Sequence, residues 1–544
     1  MNDIREQLRS AISKLYNLDF DPDIAVAPDN IDADYSSNAP LKLAKELHKS
    51  PMAIAEELSS HLDNTIISAP GFLNFTLSDD YYASAIKSLI TNFDESLAPH
   101  TFDGKTVICE FSDPNPFKVL HVGHLYTSVV GDSISRLYEY AGAKVIRANF
   151  GGDVGLHVAK TMYILLQKDT ANLQIEDIAK CYIEGTAAYD DDEHARAEIT
   201  KLNKEIYHIN ADNIHGTPLS DLYWHARELS YDYFKAFYAS IGLKFDKYYP
   251  ESTVAGLGLA TVKRELENGV YEESDGAVIF PGDRYGLHTR VFINKEGVPT
   301  YEAKDVGLIF TKWQDYHFDK SIVITGSEQK DYMQVVLKSI EQYAPELVER
   351  TSHLTHGLVK LPGGVKMSSR KGNFLKAIDV LDMVKSALKD EYNSTDEKVS
   401  LAATKYAFLK YKMGGNIIFD PEESVKMTGN SGPYLLYSAV RAKKILSKIN
   451  VQGENASVSC AAERDLAKKL LEYKTTLEES ITEIAPHKVA TYLYELAQEF
   501  SRFYESCQVA GSDRESERAK LVQAYLNVMT HGLNLLGIEI PEEM

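Results

Sequence analysis

The chain has 544 residues, 44% of them hydrophobic and 25% charged, and a formal net charge of −21. That length is too great for one core and points to roughly two to four domains of an ordinary globular class. The acidic balance speaks against a generally basic nucleic-acid binder. It does not exclude a nucleic-acid partner, because binding phosphates needs local Lys and Arg clusters rather than a basic average.

The opening MNDIREQLRS is polar, carries acids and lacks an apolar core, so no secretory signal is expected there. IREQLRSAISKL and APLKLAKELHKSPMAIAEELSSHL repeat apolar residues at three- and four-residue spacing and predict helices. SAPGFLNFTLS then gives turn residues followed by a strand through Phe72, Asn74, Phe75 and Leu77. ESLAPHTFDGK reads as a linker. TVICEF is a short apolar strand, and helical patterning begins near His121, so strand, loop and helix open a nucleotide-binding α/β unit. From about 160 to 250 the pattern is helical and acidic, and the run Asp190, Asp191, Asp192, Glu193 reads as a solvated surface. GLGLA at 256–260 lacks the third glycine of a dinucleotide-binding turn and reads as a plain turn. GAVIF, RVFIN and SIVITG are strand signals. From about 396 onward the pattern is almost wholly helical, with VQGENASVS as a polar loop. No fixed-period repeat is present, and no apolar run is long enough to span a bilayer. The four cysteines, Cys109, Cys181, Cys460 and Cys507, are scattered, with no C-x-x-C pair. They set up neither a disulfide framework nor a zinc knuckle, which favours a reducing cytoplasm.

Two stretches carry chemistry. In FKVLHVGHLYTSVVG (117–131), His121 and His124 would share a face if helical. A metal site would want a third ligand, and neither H-E-x-x-H nor H-x-x-E-H occurs. Two structural histidines remain an alternative. The strand-to-helix junction favours phosphate, through free N–H groups and the helix dipole, and Gly123 leaves room for a flat base. The second stretch, PGGVKMSSRKGN (362–373), brings Lys366, Arg370 and Lys371 into a glycine- and serine-rich loop. Such a loop suits a triphosphate, over which it can close as pyrophosphate leaves. Alone it is a weak signal.

Together, H-x-G-H and a distant KMSSR loop resemble the two signatures of class I aminoacyl-tRNA synthetases. The segment EFSDPNPFKVLHVGHLYTSVVGDSISRLYEYAGAKVIRANFGGDVG is similar to that of the arginyl-tRNA synthetases. So, in order, are FDKYYPES, TYEAKDVG, VITGSEQKDYMQVV, GNSGPYLLYSAVR and GLNLLGIEIPEEM, and ISAPGFLNF resembles the end of that family's N-terminal domain. The resemblance spans nearly the whole chain. It implies a Rossmann-like α/β catalytic domain (101–424, with a helical insertion at about 160–250). This would lie between an N-terminal α+β tRNA-binding domain (1–100) and a C-terminal all-α anticodon-binding bundle (425–544).

The activity so implied is attachment of L-arginine to tRNA(Arg) through an arginyl-adenylate, with activation of arginine requiring bound tRNA. ATP with substrate-bound Mg²⁺ is expected, with no structural metal, no membrane, and a cytoplasmic monomer. By motif position, Lys118, His121, His124, Lys366 and Ser368 would act in catalysis. His121, Gly123, His124, Lys366, Met367, Ser368 and Ser369 would hold ATP. Glu110, Tyr301 and Asp305 would bind the guanidinium, and Asn115 and Gln329 the α-amino end. A guanidinium is a planar fork of donors with no acceptor, so a carboxylate-lined pocket suits it. Tyr434, Tyr437 and Arg441 offer interleaved aromatics and cations for unstacked tRNA bases, against the alternative that the tyrosines are core.

Departures from the family pattern are Phe117 before Lys118, Val154, His157, Lys330, Asp331, Glu543, and Ser369 where many class I enzymes have lysine. Lys118 stands where a compensating lysine is expected. Two other readings stay open: a small-molecule nucleotidyltransferase using H-x-G-H, and an inactive synthetase relative that binds tRNA.

Overall fold

The computed structural model describes residues 2–28, 30–31, 33–363, 375–449 and 456–544. The expectations for Lys366, Met367, Ser368 and Ser369, and most of VQGENASVS, therefore fall outside the described residues.

The first hundred residues build an α+β unit. Helices Asn2–Tyr16, Ala39–Leu47 and Pro51–Ser59 share a core with a four-stranded antiparallel sheet ordered 25–26, 35–37, 72–75, 65–68. The apolar periodicity through 39–62 is cut in two. His48 takes a left-handed conformation (φ 50°) and Ser50 caps the next helix by accepting from Ala53 N–H, with Pro51 at its first turn.

Five strands form the central parallel sheet: β1 (Thr106–Glu110), β2 (Lys144–Gly151), β3 (Lys247–Pro250), β4 (Lys320–Gly326) and β5 (Thr351–His356). Their order is β5-β4-β1-β2-β3, parallel throughout. The near-continuous apolar runs of TVICE and SIVITG belong to strands covered on both faces. In this doubly wound order the connections reverse between β1 and β4, and a ligand crevice is expected at the carboxyl ends of those two strands. Helix α1 (Val122–Tyr140) follows β1. Its far end docks on the C-terminal bundle, where Ser133 Oγ donates to Leu535 O at 2.9 Å and Tyr138 Oη to Ile481 O at 3.3 Å.

GAVIF and RVFIN are strands, but of a separate antiparallel sheet with 272–274. GLGLA is no turn: it lies inside helix α2 (Glu251–Glu267). A Cβ on Gly258 would stand 1.9 Å from Ala303 O, and one on Gly307 2.2 Å from Val254 O. These glycines permit close crossing of α2 and α3 (Tyr301–Tyr316). Helix periodicity was hidden there by residues chosen for helix–helix approach. The C-terminal bundle comprises helices 432–446, 461–471, 473–482, 486–506 and 515–535. Phe500 stacks on Tyr525 at 3.9 Å in its core.

Candidate functional site

A cavity of about 780 Å³ opens at the carboxyl ends of β1 and β4. The loop leaving β1 enters it under unusual backbone geometry, with Ser112 (φ 71°), Asp113 (φ 48°) and Phe117 (φ 66°) all left-handed. Non-glycine residues hold such conformations only where surroundings over-determine them. Here Ser112 Oγ meets Tyr238 Oη at 2.8 Å, Asp113 accepts from Phe150 N–H at 2.7 Å, and Phe117 N–H donates to Ser230 Oγ at 3.0 Å.

The loop delivers His121 to the N-cap of α1, with His124 at the third helical position. His121 Nδ1 accepts from Gly123 N–H, and His124 Nδ1 accepts from His121 N–H, both at 3.1 Å. The two imidazoles stack with centroids 3.7 Å apart. Burial pushes His121 down to about 4, with His356 and Lys118 adding to the shift. Burial, then His121, pushes His124 well below its usual value. Both rings are therefore neutral at pH 7. With each Nδ1 accepting, the ring proton sits on Nε2, making that nitrogen a donor suited to phosphate or ribose oxygen. Gly123 lines the cavity, and its missing Cβ also makes room for His121, whose ring would otherwise be 2.9 Å away.

The opposite wall is acidic. Glu110 is 3% exposed and pairs with fully buried Lys312 at 2.7 Å. Glu251 pairs with Lys304, which also donates to Tyr207 Oη at 2.8 Å. Asp113 and Asp305 form no ion pair with a lysine or arginine among the described residues; Asp305 accepts from Tyr332 Oη. Loss of hydration pushes Asp305 up to about 7, with Glu110 and Glu251 raising it further. The same cause, then Glu110, pushes Asp113 well above the carboxylate range. Such a wall holds more carboxyl groups than its lysines balance, and a ligand cation would favour their ionised forms. Arg290 also lines the cavity but is paired with Glu302 at 3.2 Å.

Of the sequence-predicted residues, Glu110, Asn115, His121, Gly123, His124, Tyr301, Asp305 and Gln329 all line this one cavity. Tyr301 begins α3, so Tyr301 and Asp305 do lie one helical turn apart. Asn115 Oδ1 accepts from Gly152 N–H at 2.8 Å. Lys118 does not line the cavity. Its ammonium lies 4.3 Å from the Tyr182 ring centroid, near enough to the histidines to lower them. His157 donates from Nε2 to Gly152 O at 2.8 Å, so this departure from the family pattern has a structural role. Val154 and Phe117 are core residues, and Lys330 and Asp331 are exposed at a helix start. Sequence reasoning missed Asp113, Glu251, Lys304, Lys312, Tyr332 and His356.

In the bundle, Tyr437 and Arg441 border a second cavity of about 540 Å³ with Lys444, Lys448 and Tyr504. The Arg441 guanidinium lies 4.7 Å from the Tyr437 ring centroid and 5.0 Å from that of Tyr504. Tyr434 instead packs inward against Tyr494, edge to face. Among the described residues, one group of Cys, His and carboxylate ligands is compact enough to share a metal ion: Cys460, Glu463 and Cys507, also in the bundle.

Comparison with known proteins gives three matches along the chain. Residues 85–420 match the family model described as tRNA synthetases class I (R), catalytic domain. Residues 2–77 match the arginyl tRNA synthetase N terminal domain, and 435–544 the DALR anticodon binding domain. The chain is 30% identical to a protein of Thermobifida fusca named arginine–tRNA ligase, over 99% of both chains. It is equally similar, over the full length of both, to one from Crocosphaera subtropica. The solved arginyl-tRNA synthetase of Thermus thermophilus superposes with a TM-score of 0.80 at 24% identity, covering 100% of both chains. That of Plasmodium falciparum gives 0.81 at 21%, covering 100% of this chain and 99% of the other. At these identities the two structures speak for the fold alone.

Proposed function

The chain belongs to the class I arginyl-tRNA synthetases, ligases that charge tRNA with arginine through an aminoacyl-adenylate, and from that premise we propose how its own residues divide the work. The observation that carries the reading is the pair of carboxyl groups, Asp113 and Asp305, that form no ion pair with a lysine or arginine among the described residues, beside two neutral, donor-bearing histidines in one cavity.

Arginine enters with its guanidinium toward Asp305 and Glu110, and Tyr301 covers it. Asn115 and Gln329 take the α-amino end. ATP lies along the start of α1, its adenine near Gly123. His121 and His124 donate from Nε2 to phosphate or ribose oxygens. The arginine carboxylate attacks the α-phosphate in line, pyrophosphate leaves, and the terminal ribose hydroxyl of tRNA then takes the arginyl group. No protein nucleophile is required, because positioning and fixed dipoles carry transfer at phosphorus. Lys366, Ser368 and Lys118 are assigned to the charge growing toward pyrophosphate, with Met367 and Ser369 beside ATP. Lys118 would have to leave Tyr182 to act there. Mg²⁺ would travel on the triphosphate, held mostly by phosphate and water.

Residues 1–100, 101–424 and 425–544 are assigned as tRNA-gripping, catalytic and anticodon-binding domains of a cytoplasmic monomer. Tyr437 and Arg441, with Tyr434 behind them, are assigned to tRNA. The test is ATP–pyrophosphate exchange. Exchange that needs both arginine and tRNA supports the reading. Exchange with a small acid other than arginine, or none at all, contradicts it.

A further inference from the structure

We propose that Cys460 and Cys507 are a redox modification site, closing to a reversible disulfide on the rim of the bundle cavity. Their sulfurs lie 3.5 Å apart although 47 residues separate them in sequence. A disulfide is about 2 Å long, so the sulfurs have about 1.5 Å to close. Cys460 is exposed at the N-cap of helix 461–471, and Cys507 is buried at the end of helix 486–506. An exposed thiol over a buried one gives a defined order of attack: a small oxidant reaches Cys460, and Cys507 resolves it.

A metal ion is the competing occupant, since Glu463 completes a compact group with the two sulfurs. Glu463 is already committed. It accepts from Arg514 at 2.9 Å, from Arg518 at 2.8 Å and from Ser459 N–H at 2.8 Å. Two guanidinium cations at that carboxylate oppose a dication, and a structural zinc wants four ligands.

With oxidised glutathione as the oxidant, Cys460 thiolate attacks one sulfur, the glutathione S–S bond breaks, and one glutathione thiolate leaves. Cys507 gives its proton to solvent and attacks the Cys460 sulfur, releasing the second glutathione. Two protein thiols lose two electrons and two protons, and one glutathione disulfide becomes two thiols.

The bond would matter because Cys507 lines the cavity of Tyr437 and Arg441, three residues beyond Tyr504. Helix 461–471 is also tied to the N-terminal unit, through Arg464 to Asp79 at 2.8 Å. Oxidation therefore fixes the cavity rim to an element that joins two domains. The expected effect on tRNA rests on the function proposed above; the disulfide itself does not.

The test is to equilibrate the native full-length protein with oxidised glutathione. Expected are a mass loss of about 2 Da, a peptide linking positions 460 and 507, and two reactive thiols left of four after denaturation. Dithiothreitol should reverse all three. The Cys460→Ser variant should form no link and charge tRNA as the wild type does. The oxidised wild type should show a tRNA KM shifted threefold or more. Four thiols retained, a stable glutathione adduct on Cys460, or zinc bound one to one with both thiols protected would overturn the proposal. So would a link that leaves tRNA KM unchanged. If the reduced enzyme charges no tRNA while the link still forms, the proposed function fails and the disulfide stands.

Discussion

At the cavity between the ends of β1 and β4 the lysines face inward. Lys312 is held by Glu110 and Lys304 by Glu251, both in the protein interior, and Asp113 and Asp305 form no ion pair with a lysine or arginine among the described residues. At the bundle cavity the cations face outward: Arg441 lies between Tyr437 and Tyr504, with exposed Lys444 and Lys448 beside it. One cavity is built to be short of positive charge and the other to present it. A net charge of −21 describes neither, because fields at a few ångströms are set by the nearest ionised groups and the surface remainder is screened beyond about 10 Å. The acidic total is thus compatible with a nucleic-acid partner at one end and a cationic amino acid at the other.

The contrast can be broken most severely at the histidines. Removing one fixed donor to a developing oxyanion typically costs about 10²–10³ in rate, so His124→Ala should lower adenylate formation by that factor while circular dichroism stays native. Near-wild-type turnover would remove α1's N-terminus from the chemistry. Next, Asp305→Asn should raise the arginine KM about a hundredfold with a smaller change in kcat, since a charge-assisted bond to a guanidinium is worth about 1.5–3 kcal/mol.

The third effect is pH dependence. Asp305 titrates at about 7 before arginine binds, and guanidinium binds its ionised form, so arginine KM should fall from pH 6 to pH 8 and then level. The change is at most about tenfold per pH unit. Stability runs the other way. A carboxyl raised by folding contributes stability that is lost as pH rises through about 7, and saturating arginine should abolish that loss in thermal midpoints at pH 6 and 8. His121, at about 4, stays neutral throughout, so the acid limb should vanish in Asp305→Asn and persist in His121→Ala. The smallest effect belongs to the other cavity. Arg441→Ala should raise tRNA KM about three- to tenfold, more at low salt, and leave arginine KM unchanged.

Local features of this arrangement were legible in sequence. The HVGH junction is a strand, a loop and a helix start within a few residues, and Tyr301 and Asp305 follow from one helix boundary. What was hidden depends on distant segments. Lys312 finds Glu110 across 202 residues, Glu251 finds Lys304 across 53, and Cys460 finds Cys507 across 47. One signal was available. Asp305, Leu308, Ile309 and Lys312 recur at helical spacing, and a lysine on an apolar stripe must meet a buried acid. GLGLA misled because Gly258 serves a helix crossing rather than a turn. The KMSSR loop, a weak signal alone and specific only together with HVGH, lies outside the described residues.

The central claim is that this cavity is a negative site completed by a guanidinium at Asp305. Steady-state arginine KM in tRNA-dependent pyrophosphate exchange, for wild type and Asp305→Asn at pH 6, 7 and 8, tests it most directly. A wild-type KM that falls with pH, beside a variant KM about a hundredfold higher and flat with pH, is the expected result. A variant with the wild-type KM and the same pH dependence would contradict the account.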